Sequence, residues 1–368
     1  MEKNKNRLMI IGSTWEQIPL IQKAKEMNSY VLGTDPNDKA EGFKFCDETA
    51  IASPRDLEEL LRIAKKFEPD GITADECDYS HFASVYISER LGLNNHGMDA
   101  AQNTTNKYIM RKQALDGRIF QPRFFSCYTY EQASAAVDSI GWPVVVKPHD
   151  NRGAYGVNIA SNHDELKLAF QEAVMFSHSR FTIVESFISG THITVDGCID
   201  EHGQHQNLAI ASKKTIQGSR PIINEVVYPA EINEEDKEHV LEVNQNVILA
   251  LGIKSGLTHS EYILDEQNRC FLVETANRGG GVWTSAIMVP ILSGVNMSEI
   301  LIKNALGDSF NVVPNFWKGF VSLKFLIFKS GKIKKISGIQ DAEKIKGVEA
   351  LRINVNCGDT ISQPTSGG

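Results

Sequence analysis

The sequence predicts an α/β region of Rossmann-like layout, then an α+β region, then a small mostly-β tail. Three observations carry this. Strand and helix signals alternate through the first hundred residues, strands come in runs after residue 124, and from Lys318 the pattern is strand alone. Alternation gives a small parallel sheet with helices on both faces, whereas runs of strands beside helices mark an α+β arrangement. At 368 residues the chain is too long for one ordinary core, and two or three packed domains are expected.

Leu8–Ile11 reads as a buried strand, followed by Gly12 and an amphipathic stretch to Met27. Tyr30–Leu32 is a second strand, ending at Gly33-Thr-Asp-Pro-Asn37. Ser53-Pro-Arg-Asp56 has the chemistry of a helix start, with Ser as the cap and Pro in the first turn. That helix carries Leu57, Leu60, Leu61 and Ala64 on one face. Gly71–Thr73 is a third strand and Phe82–Leu91 a helix. No dinucleotide site is expected, because only Gly12 stands where G-x-G-x-x-G is required. Further on, Glu131–Ile140 is a helix, Val144–Pro148 a strand, Asn151–Gly156 a glycine-bearing loop and Asp164–Phe176 a helix. Strands follow at Phe181–Glu185, His192–Asp200 and Leu208–Ser212. A helix at Glu234–Leu251 precedes strands at His259–Leu264 and Cys270–Thr275. The tail offers Phe320–Phe328 and Lys332–Ile336 around a turn at Ser330-Gly331.

Hydrophobic content of 42% and charged content of 23% exclude disordered and collagen-like chains. A net charge of −8, from 38 basic and 46 acidic residues, argues against nucleic acid or an anionic membrane as partner. The six cysteines are scattered without a C-x-x-C, which excludes a disulfide scaffold or zinc ribbon and fits reduced thiols. The polar N-terminus leads only into Leu8–Ile11, and no apolar run approaches the ~20 residues of a membrane span. A cytoplasmic location is expected.

Four segments carry chemistry. Lys147 ends the apolar strand Val144-Val-Val-Lys-Pro148, so its stem is buried and its ammonium needs a counter-charge. The loop after it, with Gly153 and Gly156, can fold backbone N–H groups over a polyphosphate, although a lysine snorkelling beside an ordinary turn fits the same residues. Glu261 and Glu274 lie on strands flanking the turn Asp265-Glu-Gln-Asn268. A hairpin there would set them side by side as Mg²⁺ ligands that share the ion with phosphate oxygens; two unrelated acids on a solvated face are the plain alternative. Asn277-Arg278-Gly-Gly-Gly281 presents an arginine fork for phosphate or carboxylate. Lys107 falls in the first turn of a helix begun by Thr105-Asn106, where a cation opposes the helix dipole and hints at an anionic partner.

In this order and spacing the segments resemble the ATP-grasp superfamily, and within it the carboxylate–amine ligases, including L-amino-acid ligases and carbamoyl-phosphate-synthetase-like proteins. The matching elements are Lys107, the Val-Val-Val-Lys147-Pro strand with its loop, Val184-Glu-Ser-Phe-Ile-Ser-Gly190, Glu261, and Glu274 with Arg278-Gly-Gly-Gly. The resemblance implies a Rossmann-like pre-ATP-grasp domain at 1–100 and an ATP-grasp domain at 101–313, whose smaller lid subdomain spans about 120–188. A mostly-β region at 314–368 completes it. The family's last domain usually continues past the position of Gly368, so a shortened tail or a smaller final sheet is expected.

ATP and Mg²⁺, replaceable by Mn²⁺, are the implied cofactors. Lys107 and Lys147 would hold the phosphates, and Gly153 and Gly156 would lie in the loop that closes over them. Glu185, with the backbone near Ser186 and Ile188, would meet the adenine, and His192 would stand where many members have a ribose-binding glutamate. Glu261 and Glu274 would hold the metal. The Asn that many members carry two residues after the second glutamate is Ala276 here, which leaves more of a second metal's shell to water. Arg278, Lys147 and Glu274 form the implied catalytic set, with Arg278 on the transferred phosphoryl group or the substrate carboxylate. Lys214, Arg220 and Glu225 would touch substrate.

The implied activity is an ATP-dependent carboxylate–amine ligase that forms an amide through an acyl phosphate and releases ADP and phosphate. Its partners would be small-molecule carboxylates and amines, with a homodimer compatible and neither nucleic acid nor membrane expected. A bicarbonate-activating or purine-pathway carboxylase is the rival among enzymes. A non-catalytic ATP-binding regulatory module is the rival outside them, and such modules tend to lose the metal carboxylates and the arginine that this chain keeps.

Overall fold

The computed structural model describes residues 5–151, 153–216 and 222–362. Strands β1 (Arg7–Ile11), β2 (Tyr30–Asp35), β3 (Glu48–Ile51) and β4 (Gly71–Thr73) form a parallel sheet in the order β3-β2-β1-β4. Helices α1 (Ile18–Glu26), α2 (Leu57–Phe67) and α3 (Asp78–Leu91) pack on it. Central β1 is apolar from Leu8 to Ile11 because both its faces are covered there, and those four residues are fully buried. Helix α2 begins later than its Ser-Pro signal suggests. Ser53 Oγ accepts the Arg55 N–H in a local turn, and Asp56 is the cap, accepting the Glu59 N–H at 3.0 Å. Edge strand β3, mostly exposed, leaves no such pattern in the sequence.

Helices α4 (Met98–Thr105) and α5 (Lys107–Asp116) lead into a second sheet. Strands β5 (Phe124–Cys127), β6 (Val144–Pro148), β7 (Asn158–Ala160) and β8 (Thr182–Ser186) pair antiparallel in the order β5-β8-β6-β7. With α6 (Tyr130–Ile140) and α7 (His163–Phe176) this sheet encloses a core of its own, built on Val137, Val144, Val146, Leu166, Phe170 and Val184.

The largest sheet has six antiparallel strands: β9 (Thr191–Ile199), β10 (His205–Ile216), β11 (Ile222–Tyr228), β12 (Leu257–Leu264), β13 (Cys270–Ala276) and β14 (Val321–Lys324). Their order is β13-β12-β9-β10-β11-β14. Helix α8 (Glu234–Ala250) buries Val240, Val247 and Ile248 against Ile193, Val195, Tyr262 and Leu272 of this sheet. A π-helical turn at Thr284–Met288 precedes α9 (Val289–Ser293) and α10 (Met297–Leu306). Helix α10 puts Ile300, Leu301 and Ile302 into one core with Leu8, Ile10, Leu208 and Leu257, so the first and the largest sheets share apolar packing.

Lys214 lies near the end of β10 and Glu225 lies on β11, both within regular strands. In the tail, the strand expected over 320–328 is the four-residue β14, which joins the large sheet beside β11. The two-residue strands β15 (Gly331–Lys332) and β16 (Thr360–Ile361) pair with each other, and the short helix α11 (Ile339–Glu343) lies between them in sequence. All six cysteines are free thiols. Among the described residues no single helix is long and apolar enough to cross a membrane.

Candidate functional site

A cavity of about 440 Å³ opens between the β5–β8 sheet and the six-stranded sheet, with Lys107, Lys147, Lys213, Glu261, Glu274 and Arg278 in its wall. Asn106 caps α5 by accepting the Tyr108 and Ile109 N–H groups at 3.0 and 3.1 Å, which sets Lys107 and Arg111 one turn apart on one side of the helix. Lys107 Nζ donates to the Asn151 carbonyl at 2.7 Å and pairs with Glu274 Oε1 at 3.1 Å. Burial alone would lower its pKa, but the carboxylates of Glu274 and Asp78 outweigh burial and hold it raised.

Arg111 gives Nε to Glu185 Oε1 at 2.8 Å and Nη2 to the Val273 carbonyl at 2.8 Å. Lys147, carried by β6, reaches the other oxygen of Glu185 at 2.8 Å. One buried carboxylate therefore bridges two buried cations, and the trio keeps one surplus positive charge beside the cavity. Burial opposes ionisation of Glu185, yet Arg111 and Lys147 pull its pKa down to about 2. For Lys147, burial outweighs its partner and lowers the pKa. Glu185 also lines the cavity, with its carboxylate engaged by the two cations. Ser186 and Ile188 line the cavity beyond it, as do Gly153 and His192. Burial lowers the pKa of His192, which stands opposite Lys213 across β9 and β10. Gly156 has a left-handed backbone (φ 73°) and packs away from the lining, where an added Cβ would lie 3.0 Å from Phe176 and 3.1 Å from Pro148.

Glu261 on β12 and Glu274 on β13 are direct register partners. Glu261 Oε1 lies 2.5 Å from Lys213 Nζ and 3.5 Å from His259 Nε2. Burial disfavours its charge, but Lys213 and His259 hold the carboxyl well below the usual carboxylate range. His259 Nδ1 lies 2.7 Å from Asp196 Oδ1; burial would lower the imidazole pKa and Asp196 raises it above its ordinary value. Two adjacent carboxylates on rigid strands suit a hard divalent cation whose remaining oxygens come from elsewhere. Among the described residues no group of three or more His, Cys, Asp or Glu is placed to hold a metal on its own, so the protein's share would be these two. Ala276 lines the cavity, and alternation turns Asn277 the other way, donating Nδ2 to the Ser255 and Leu257 carbonyls at 2.9 Å each.

The far wall comes from the first sheet. Arg278 gives Nε and Nη2 to the two oxygens of Asp78 at 2.8 and 3.1 Å, and burial is outweighed by that carboxylate, which raises the guanidinium pKa. The Gly279 N–H donates to Asp75 Oδ1 at 2.8 Å, and a Cβ at 279 would fall 2.3 Å from Ser285 Cβ. Asp75 follows the carboxyl end of β4, where ligand crevices of open α/β sheets lie. Glu16 and Glu76 also face the cavity; burial, with Asp75 and Glu16 adding to it, pushes the Glu76 carboxyl well up.

Not every expected residue joins this assembly. Lys214 follows Lys213 on β10, so its side chain leaves the opposite face of the strand. It is half exposed and pairs with Glu225 at 3.6 Å and Glu231 at 3.1 Å. Glu225 also accepts from Ser322 Oγ. Arg220 lies outside the described residues. Conversely, Asp78, Arg111, Asp196, Lys213 and His259 enter the site without having been singled out by sequence pattern. Strand alternation requires one of the two adjacent lysines to face inward but does not show which, and the structure turns Lys213 to the cavity.

Residues 140–286 match the family model described as an ATP-grasp domain. The alanine–anticapsin ligase of Bacillus subtilis is 25% identical over 271 residues, covering 67% of this chain and 56% of that protein. The chain thus spans little more than half the length of that curated relative. Among solved structures, the L-amino acid ligase of Bacillus licheniformis superposes with a TM-score of 0.82 at 21% identity, over 98% of this chain and 90% of that one. The ADP complex of N5-carboxyaminoimidazole synthetase from Staphylococcus aureus superposes with a TM-score of 0.73 at 17% identity, over 89% and 84%. At these identities the superpositions speak for the fold.

Proposed function

We propose that this chain, which carries an ATP-grasp domain over residues 140–286, is an ATP-dependent carboxylate–amine ligase that works through an acyl phosphate. The observation that carries the reading is the cavity itself. Glu261 and Glu274 stand in register, a lysine holds one oxygen of each, and Arg278 closes the same space. Similarity to the alanine–anticapsin ligase adds to it.

Glu261 and Glu274 would hold Mg²⁺, which when bound would neutralise phosphate charge and polarise the γ-phosphoryl group. Lys107 and Lys147 would bind the phosphates, the backbone near Ser186 and Ile188 would meet the adenine and Gly153 would belong to the covering loop, all of them lining the same cavity. A carboxylate oxygen attacks the γ-phosphorus, ADP leaves, and an acyl phosphate results. The amine nitrogen then attacks the acyl carbon, the C–O bond to phosphate breaks, and the products are an amide, phosphate and a proton. Arg278, fixed by Asp78, is placed to stabilise the phosphoryl group in transfer or to orient the substrate carboxylate. Closing the cavity keeps water from the anhydride. Domains at 1–100, 101–313 and 314–368, small-molecule partners met in the cytoplasm and a homodimeric assembly belong to the same reading, and the free cysteines suit a reducing compartment.

The test is a panel of carboxylates with ATP, Mg²⁺ and hydroxylamine, which traps acyl phosphates as hydroxamates. Carboxylate-dependent ADP release is expected, with ¹⁸O passing from the labelled carboxylate into phosphate. AMP and pyrophosphate as products would overturn the chemistry. ADP release that answers only to bicarbonate would turn the reading to a carboxylase, and ATP binding without turnover across the panel would turn it to a non-catalytic module.

A further inference from the structure

We propose that Asp196 and Tyr228 are positioning residues for Glu261, acting through the imidazole of His259. The inference rests on the metal-carboxylate reading given above. Asp196 is 1% exposed and no Lys or Arg among the described residues pairs with it. Its two oxygens are divided between the Tyr228 hydroxyl, which donates to Oδ2 at 3.1 Å, and His259 Nδ1 at 2.7 Å from Oδ1. The other ring nitrogen, Nε2, lies 3.5 Å from Glu261 Oε1.

Strand pairing builds this chain of contacts. His259 faces Asp196 directly across β12 and β9, and Glu261 follows two residues later on the same face, opposite Thr194. Thr194 Oγ1 also approaches His259 Nδ1 at 3.4 Å. The ring is confined from above by Gly280, where an added Cβ would come within 2.8 Å of Nδ1. A buried acid with no Lys or Arg partner stabilises a fold poorly, and apolar residues of similar volume would serve packing as well or better. What this network does is fix the imidazole plane, and through it one oxygen of Glu261. Lys213 holds that same oxygen, so the carboxylate is oriented from two sides and presents its second oxygen for coordination. Partners of this outer kind are worth about 10- to 100-fold in metal affinity.

The experiment measures Mn²⁺ binding in the presence of ADP by electron paramagnetic resonance at one fixed pH, alongside metal-free ADP affinity by calorimetry. Asp196→Asn is expected to weaken Mn²⁺ binding about 10-fold or more, and Tyr228→Phe about 2- to 10-fold, the share of one hydrogen bond. Metal-free ADP affinity should stay at the wild-type value in both, which a general loss of structure would not allow. Unchanged Mn²⁺ affinity in both variants overturns the proposal, as does a loss that runs in step with metal-free ADP affinity. Should Asp196→Asn fail to fold, Tyr228→Phe decides by the same two readouts. A wild-type protein that binds no Mn²⁺ with ADP overturns the metal reading along with this one, whereas variants that match a binding wild type overturn this one alone.

Discussion

Glu185 accepts from Arg111 and pairs with Lys147, each at 2.8 Å, and all three side chains are buried. Glu185→Gln would leave two buried cations without a counter-charge, at a cost of about 3–5 kcal/mol, read as a lower urea midpoint at pH 7. Because the folded state depresses this pKa to about 2, the carboxylate's contribution is complete above the unfolded value of about 4.3. It is lost as pH falls from there toward 2. Wild type should therefore lose stability across that window more steeply than Glu185→Gln; parallel pH profiles would refute the pairing. Lys107, Lys147 and Arg278 were legible in the sequence because a first helical turn, a strand end or a glycine run marks each locally, and Glu261 and Glu274 because a hairpin turn lies between their strands. Their partners were not. Asp78 meets Arg278 across 200 positions, and Asp196 meets His259 only through the register of two strands. The choice between Lys213 and Lys214 depends on the phase of β10, which adjacent lysines do not reveal.

Helix α5 carries both Lys107 and Arg111, and its start is fixed by one side chain, Asn106. Asn106→Ala removes an acceptor for two otherwise unpaired N–H groups and should cost about 1 kcal/mol, with Asn106→Asp restoring most of it in chemical denaturation. An unchanged midpoint in the alanine variant would show that the helix is held by packing alone. Elements with strong apolar periodicity, such as β1, α7 and β12, were legible to within a residue or two. Those set by competing local bonds were not. Ser53 spends its hydroxyl on its own turn, so α2 waits for Asp56. Strand β11, Ile-Ile-Asn-Glu-Val-Val-Tyr, lacks a clean alternation of apolar and polar residues and is set by its pairing with β10 and β14 on either side.

Over the whole molecule, apolar packing divides unevenly. The core of the β5–β8 sheet draws only on residues from Cys127 to Val184, whereas the first sheet and the six-stranded sheet meet in one cluster with α10. Native-state hydrogen exchange should accordingly show β1 and β12 amides opening with a common free energy, and β6 and β8 amides opening at a smaller one. Separate values for β1 and β12 would contradict the shared core. The sequence revealed the alternating and strand-rich regions, but the return of residues 297–306 to the first sheet depends on contacts some three hundred residues apart. The wall around Arg278 joins distant parts of the chain. Glu16, Asp75, Glu76 and Asp78 all lie in the first hundred residues, while Lys107, Lys147, Lys213, Glu261 and Glu274 lie after them. Substitutions among these four acids would therefore change what meets Arg278 while leaving the lysines and the paired carboxylates of the other walls in place.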